Sequence, residues 1–126
     1  MSGFCSLDGK TALVTGASRG IGRAIAEELA AAGASVVVGY RTGEAEAEAV
    51  AAAIGGRAVQ ADVADPESAR ALVEAAGDID ILVNNAGLTR DNILLRLSDE
   101  GWDAVLDANL KGAFLTIRAV IKGMMK

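Results

Sequence analysis

Thr11-Ala12-Leu13-Val14-Thr15-Gly16-Ala17-Ser18-Arg19-Gly20-Ile21-Gly22 runs from a short apolar stretch through a glycine cluster into a segment of helical periodicity. Thr11 to Thr15 read as a strand. Ile21, Ala24, Ile25, Leu29 and Ala32 then recur on one helical face and stop at Gly33. Between them the glycines are spaced Gly-x-x-x-Gly-x-Gly, at Gly16, Gly20 and Gly22. Small residues let the backbone approach an anion, and the unpaired amides of a helix start supply donors at the positive end of its dipole. A phosphate is the expected occupant, although an ordinary tight strand-to-helix turn draws on the same residues.

The pattern repeats downstream. Ser35 to Tyr40 is a continuous run suited to a strand buried on both faces, and Glu44 to Ile54 is an Ala/Glu helix closed by Gly55-Gly56. Arg57 to Gln60 forms a third strand, and Asp65-Pro66 supplies an N-cap followed by proline at the first helical position of a helix ending near Gly77. Ile79 to Val83 makes the fourth strand and runs into Asn84-Asn85-Ala86-Gly87. A loop then leads to a long helix from about Asp99 to the carboxyl end. Successive strand-helix units imply an α/β protein with a parallel sheet and right-handed crossovers.

The 126 residues admit one domain with one core. Hydrophobic residues make up 52% of the chain and aromatics 3%, so that core is built from Val, Ile, Leu and Ala. A formal charge of -5 leaves no basic surplus for nucleic acid. The start of the chain lacks an apolar run, so no membrane span is expected there, and the single Cys5 fits a reducing cytoplasm. With no histidine, Ser-His-Asp triads and the common zinc sites are ruled out, and no metal is expected.

The glycine spacing resembles that of the short-chain dehydrogenase/reductase family. Asp62-Val63 after the third strand, Asn84-Asn85-Ala86-Gly87 after the fourth, and Asn109-Leu110-Lys111-Gly112 in the long helix match that family in order and spacing. The stretch from Asn84 to Asn92 is most similar to the 3-oxoacyl-acyl-carrier-protein reductases of fatty-acid synthesis. The resemblance implies a doubly wound, Rossmann-type half with a four-stranded parallel sheet in the order 3-2-1-4 and helices on both faces. It implies a cofactor held by Gly16, Ser18, Arg19, Gly20, Ile21 and Gly22 at its phosphates and ribose. Asp62 and Val63 would then meet its adenine, and Asn85, Ala86 and Gly87 its nicotinamide-side ribose. Structural readings stand beside these: Asp62 as the cap of a strand end, and Asn84-Asn85 as side-chain links between neighbouring strands.

Charge at the ribose decides the cofactor. An NAD site wants a carboxylate at the end of the second strand, where this chain has Gly39, Tyr40, Arg41 and Thr42. Arg19 and Arg41 suit a 2′-phosphate, so NADP(H) is expected, with Arg41 also readable as a solvated charge. By resemblance Asn109 is the one catalytic residue present, in a water-relay or helix-kink role. A buried structural asparagine is its alternative.

The family's catalytic Ser and Tyr-x-x-x-Lys are absent from these residues, and its members run to about twice this length. The resemblance therefore implies a single nucleotide-binding domain over residues 1–126 that is inactive alone, and a cytoplasmic homodimer or larger assembly. The alternatives are a self-associating structural fragment and one part of a split reductase. From Trp102 onward, Val105, Leu106, Leu110, Phe114, Ile117, Val120, Ile121 and Met124 spread over too wide an arc for one core contact, which calls for a partner, with burial entirely within the domain as the alternative. Arg118, Lys122 and Lys126 form a basic stripe suited to an acidic acyl-carrier-protein partner or to plain solvation.

Overall fold

The computed structural model describes residues 6–86, 98–106 and 110–125. Its elements follow in the order β1 (Thr11–Val14), α1 (Gly20–Ala31), β2 (Ser35–Tyr40), α2 (Glu44–Ile54), β3 (Arg57–Gln60), α3 (Pro66–Ala76), β4 (Ile81–Val83), α4 (Asp99–Leu106) and α5 (Gly112–Met124). All strand pairs are parallel and the sheet order is β3-β2-β1-β4, as the resemblance implies. Val14 stands level with Val38 of β2 on one side and Val83 of β4 on the other.

Alternation along the strands divides the apolar residues between two faces. Ala12, Val14, Val36 and Val38 pack with Ala26 of α1 and with Ala47 and Val50 of α2. Leu13 and Val37 face the other way, against Leu72 and Ala76 of α3, Ile79, and Val120 of α5. This accounts for the unbroken apolar runs: a parallel sheet covered on both faces has no polar side.

Helix boundaries follow local chemistry. Asp65 accepts the Ser68 amide at 3.0 Å and Pro66 opens α3, while Gly55 closes α2 in the left-handed region with φ 68°. Two strand ends differ from expectation. β1 ends at Val14: the Thr15 amide still donates to the Val83 carbonyl, and Gly16, at φ 65°, turns the chain away. β4 starts at Ile81, since Asp80 donates its amide to the Thr11 carbonyl and turns its carboxylate back to the Thr11 amide at 2.9 Å.

The helical stretch after Asp99 is described as α4 and α5, and residues 107–109, Asn109 among them, lie outside the described residues. Leu115, Thr116 and Val120 turn inward on α5, while Phe114, Ile117 and Ile121 are roughly half exposed. The wide apolar arc read from the sequence is therefore only partly buried. No helix among the described residues is long and apolar enough to cross a membrane.

Candidate nucleotide-binding site

In an open parallel sheet, the crossovers from the central strand and from its neighbour leave in opposite directions, opening a crevice at the carboxyl ends of the strands. Here β1 lies between β2 and β4, and an open cleft of about 540 Å³ sits at that end. Its walls are Thr15, Gly16, Ser18, Arg19, Gly20 and Ile21 from the β1–α1 turn, and Gly39, Tyr40, Arg41 and Thr42 from the end of β2. Ala61, Asp62 and Val63 after β3, Leu72 of α3, and Asn85 and Ala86 after β4 complete it. Nearly every residue singled out for cofactor binding is thus brought to one place. Gly22 lies just behind the cleft, and Gly87 falls outside the described residues.

The turn between β1 and α1 is tethered on two sides. Towards β2, the Ala17 amide donates to the Gly39 carbonyl at 3.0 Å. Towards β4, the Thr15 hydroxyl oxygen accepts the amides of Asn85 and Ala86 at 3.0 and 2.9 Å, and reaches the Val83 carbonyl at 3.4 Å. That oxygen has one proton and two lone pairs, and all three are engaged. The Asn85 side-chain amide donates to the Gly16 carbonyl at 3.0 Å. Asn84 takes another partner: its side-chain oxygen accepts from the buried Thr116 hydroxyl of α5 at 2.6 Å. Both asparagines do link neighbouring elements, and Asn85 lines the cleft as well.

The glycines fit this arrangement for steric reasons. Gly16 has φ 65°, and a Cβ there would lie 2.9 Å from the Ala86 Cα. A Cβ on Gly22 would meet the Gly16 carbonyl oxygen at 2.2 Å, so its place is in packing the helix against the turn. Gly20, also at positive φ, would meet nothing within 4 Å, leaving open space above the turn.

Electrostatics favour an anion at this end. Arg19 is the extended N-cap of α1, no side chain caps the helix, and its first turn has no acid, so the positive end of the dipole is left uncompensated by the protein. Arg41 adds a second cation, with its carbonyl held by Gln60 Nε2 at 3.2 Å. Tyr40 is buried, and its phenol is pushed above 10.0 by that burial, with the Glu44 and Glu48 carboxylates adding to the shift. Among the described residues that line the cleft, Asp62 after β3 is the one acid. No cluster of metal ligands occurs among the described residues.

Ser68 was missed in reading the sequence. Its hydroxyl accepts the Asp62 amide at 2.8 Å. The signal available was its place three residues after the Asp65 N-cap, where a polar side chain commonly reaches back to an open amide.

The model of the family described as short chain dehydrogenase matches residues 10–126. The chain is 49% identical over 127 residues to the 3-oxoacyl-acyl-carrier-protein reductase FabG of Escherichia coli (strain K12), covering 96% of this chain and 52% of that protein. It is 46% identical over 126 residues to the reductase of the same name from Staphylococcus aureus strain Mu50, covering 93% and 51%. Among solved structures, a short chain dehydrogenase from Burkholderia cenocepacia J2315 in complex with NADP superposes with a TM-score of 0.86 at 44% identity, over 92% of this chain and 51% of that one. A dehydrogenase/reductase from Sinorhizobium meliloti 1021 gives 0.84 at 43% identity, over 93% and 50%. The chain spans about half the length of the curated relatives it matches.

Proposed function

Because the chain belongs to the short-chain dehydrogenase family, we propose that it forms the NADP(H)-binding half of a 3-oxoacyl-thioester reductase acting on acyl-carrier-protein substrates. The observation that carries this reading is one cleft with two arginines, Arg19 and Arg41, at the turn and at the end of β2, where an NAD site would place a carboxylate. The NADP complex of the Burkholderia neighbour supports the cofactor, and the shared name of the relatives supports the substrate class.

The residues present fit that cofactor. Gly16, Ser18, Gly20 and Ile21, with the uncapped start of α1, hold the pyrophosphate and ribose, while Gly22 keeps the helix close behind them. Arg19 and Arg41 hold the 2′-phosphate. Asp62 and Val63 flank the adenine, and Asn85, Ala86 and Gly87 serve the nicotinamide-side ribose. When bound, the cofactor supplies a hydride. Thr15 and Asn85 fix the distance between the phosphate turn and the nicotinamide side. Asn109, outside the described residues, is carried over from the family in a water-relay or helix-kink role.

Titrating NADPH and NADH against the chain by fluorescence tests the proposal. NADPH is expected to bind more tightly, and Arg19→Ala to remove most of that preference, a loss of about tenfold for one charge-assisted contact. Equal affinities for the two nucleotides in the unmutated chain would remove the argument from Arg19 and Arg41. A second reading, a self-associating fragment with the cofactor site unused, is favoured by the exposed face of α5, and absence of nucleotide binding would select it.

A further inference from the structure

We propose that the cleft also takes adenosine nucleotides phosphorylated at the ribose 3′ position, coenzyme A among them; the inference rests on reading the cleft as the NADP(H) site. Its ribose end has cations that nothing ties to one position. Its nicotinamide side has donors that are already spent within the protein.

Arg19 and Arg41 enter the cleft from separate loops, one after β1 and one after β2. Both are exposed, and neither guanidinium has a protein partner among the described residues, where the ion pairs join Arg23 to Glu27 and Arg70 to Glu67. No bond therefore aims either fork at one ribose oxygen, and a long arginine side chain reaches a phosphate on either of two neighbouring ring carbons. Selectivity between such isomers needs a group that rejects the wrong one. The end of β2 offers Gly39, Tyr40, Arg41 and Thr42, with no carboxylate to hold a free 3′-hydroxyl or to repel a 3′-phosphate.

Among the described residues, the nicotinamide side is short of donors. The backbone amides of Asn85 and Ala86 are both given to the Thr15 hydroxyl oxygen, at 3.0 and 2.9 Å, and the Asn85 side-chain amide to the Gly16 carbonyl at 3.0 Å. Asn85 keeps its side-chain oxygen open, and that acceptor serves a ribose hydroxyl or the hydroxyl and amide N–H groups of a pantetheine arm alike. Ile21, 74% exposed, gives the same cleft an apolar surface. Between the two ends lies the uncapped start of α1, which suits a 5′-diphosphate whatever group follows it.

The experiment displaces NADPH from the unmutated chain, read by its fluorescence, with adenosine 2′,5′-bisphosphate, adenosine 3′,5′-bisphosphate, adenosine 5′-monophosphate, coenzyme A and dephospho-coenzyme A. Both bisphosphates are expected to bind within about threefold of each other and about tenfold more tightly than the monophosphate, the worth of one charge-assisted contact. Coenzyme A is expected to exceed its dephospho form by the same factor. A variant carrying Arg19→Ala and Arg41→Ala, with its fold checked by circular dichroism, is expected to lose both preferences. The inference is overturned if the 3′,5′-bisphosphate binds more like the monophosphate than like its 2′ isomer, if coenzyme A gains nothing from its 3′-phosphate or fails to displace NADPH, or if the preferences survive in the double variant. Failure of the unmutated chain to bind NADPH would overturn the functional reading itself.

Discussion

The side-chain amide of Asn85 donates to the carbonyl of Gly16 at 3.0 Å, across 69 positions of chain, and Gly22 packs against both groups. A Cβ on Gly22 would sit 2.4 Å from the Asn85 amide nitrogen and 2.2 Å from the Gly16 oxygen. The second of these is backbone and cannot rotate away. The Gly-x-x-x-Gly-x-Gly turn is therefore a joint between β1, α1 and β4 as much as a ligand cradle.

Gly22→Ala is expected to destabilise the chain by about 2 kcal/mol, or roughly 10 °C in Tm, because the helix must move off the turn. Gly20→Ala is the comparison. It meets no atoms but places a side chain at φ 63°, so the cost is conformational strain of about 1 kcal/mol. Thermal unfolding of the two variants checks the order, and a Gly22→Ala protein as stable as the unmutated chain would show that the joint yields freely.

The Tyr40 phenol, raised by burial and by the Glu44 and Glu48 carboxylates, makes a prediction for alkaline pH. The folded state holds the phenolic proton more tightly than the unfolded chain. Its contribution is thus fully present below the unfolded value near 10.0 and is lost as pH rises through the higher folded value. Tyr40 is the one tyrosine in the sequence, so tyrosinate absorbance reports it alone. The midpoint is expected to be higher in the native chain than in urea, and Tyr40→Phe to remove that part of the alkaline fall in Tm. Coincident midpoints with and without urea would contradict this.

These relationships divide by their range along the chain. β2, β3 and α1 to α3 could be read closely because Gly33, Gly55 and the Asp65-Pro66 pair mark their ends locally. Most of the cleft could be read for the same reason: in a parallel sheet the residues just after each strand converge, whatever their spacing in sequence. The partner of each side chain could not. Nothing near Asn84 indicates that its amide meets Thr116 while that of Asn85 meets Gly16, since those choices follow from the packing of α5 and α1. Ser68 escaped because its residue type and position are those of routine helix capping.

Among the described residues Phe114, Ile117 and Ile121 on α5 are half exposed and β4 stands at the edge of the sheet, and the expectation of self-association can be tested there. Phe114→Glu is expected to shift a homodimer or larger assembly towards monomer with little change in Tm, because its side chain is 57% exposed. Leu82→Glu is expected to unfold the chain, since Leu82 packs against the core under α3 and α5. Light scattering with thermal unfolding separates the two. A stable monomer of the unmutated chain at high micromolar concentration would leave the apolar face of α5 without this role.

The last expectation is that these 126 residues alone do not reduce a 3-oxoacyl thioester even when NADPH is bound. Delivering hydride to a ketone creates an alkoxide, and a positioned proton donor is worth about 10² to 10⁴-fold in such a step. The sequence has no histidine, and its one tyrosine is committed to the core against α2 with a phenol that gives up its proton less readily than usual. Tyr40 also ends β2, two strands from β4 across the sheet, while the nicotinamide side proposed above lies at the residues after β4. What is left is lysine, carboxylate and solvent, with no closed pocket among the described residues to align a substrate against the cofactor. NADPH oxidation with a short 3-oxoacyl thioester should stay at background while NADPH fluorescence still reports binding. Turnover that survives repurification and disappears in Asn109→Ala would overturn this, because it would mean that a working site assembles from these residues, across an interface between copies.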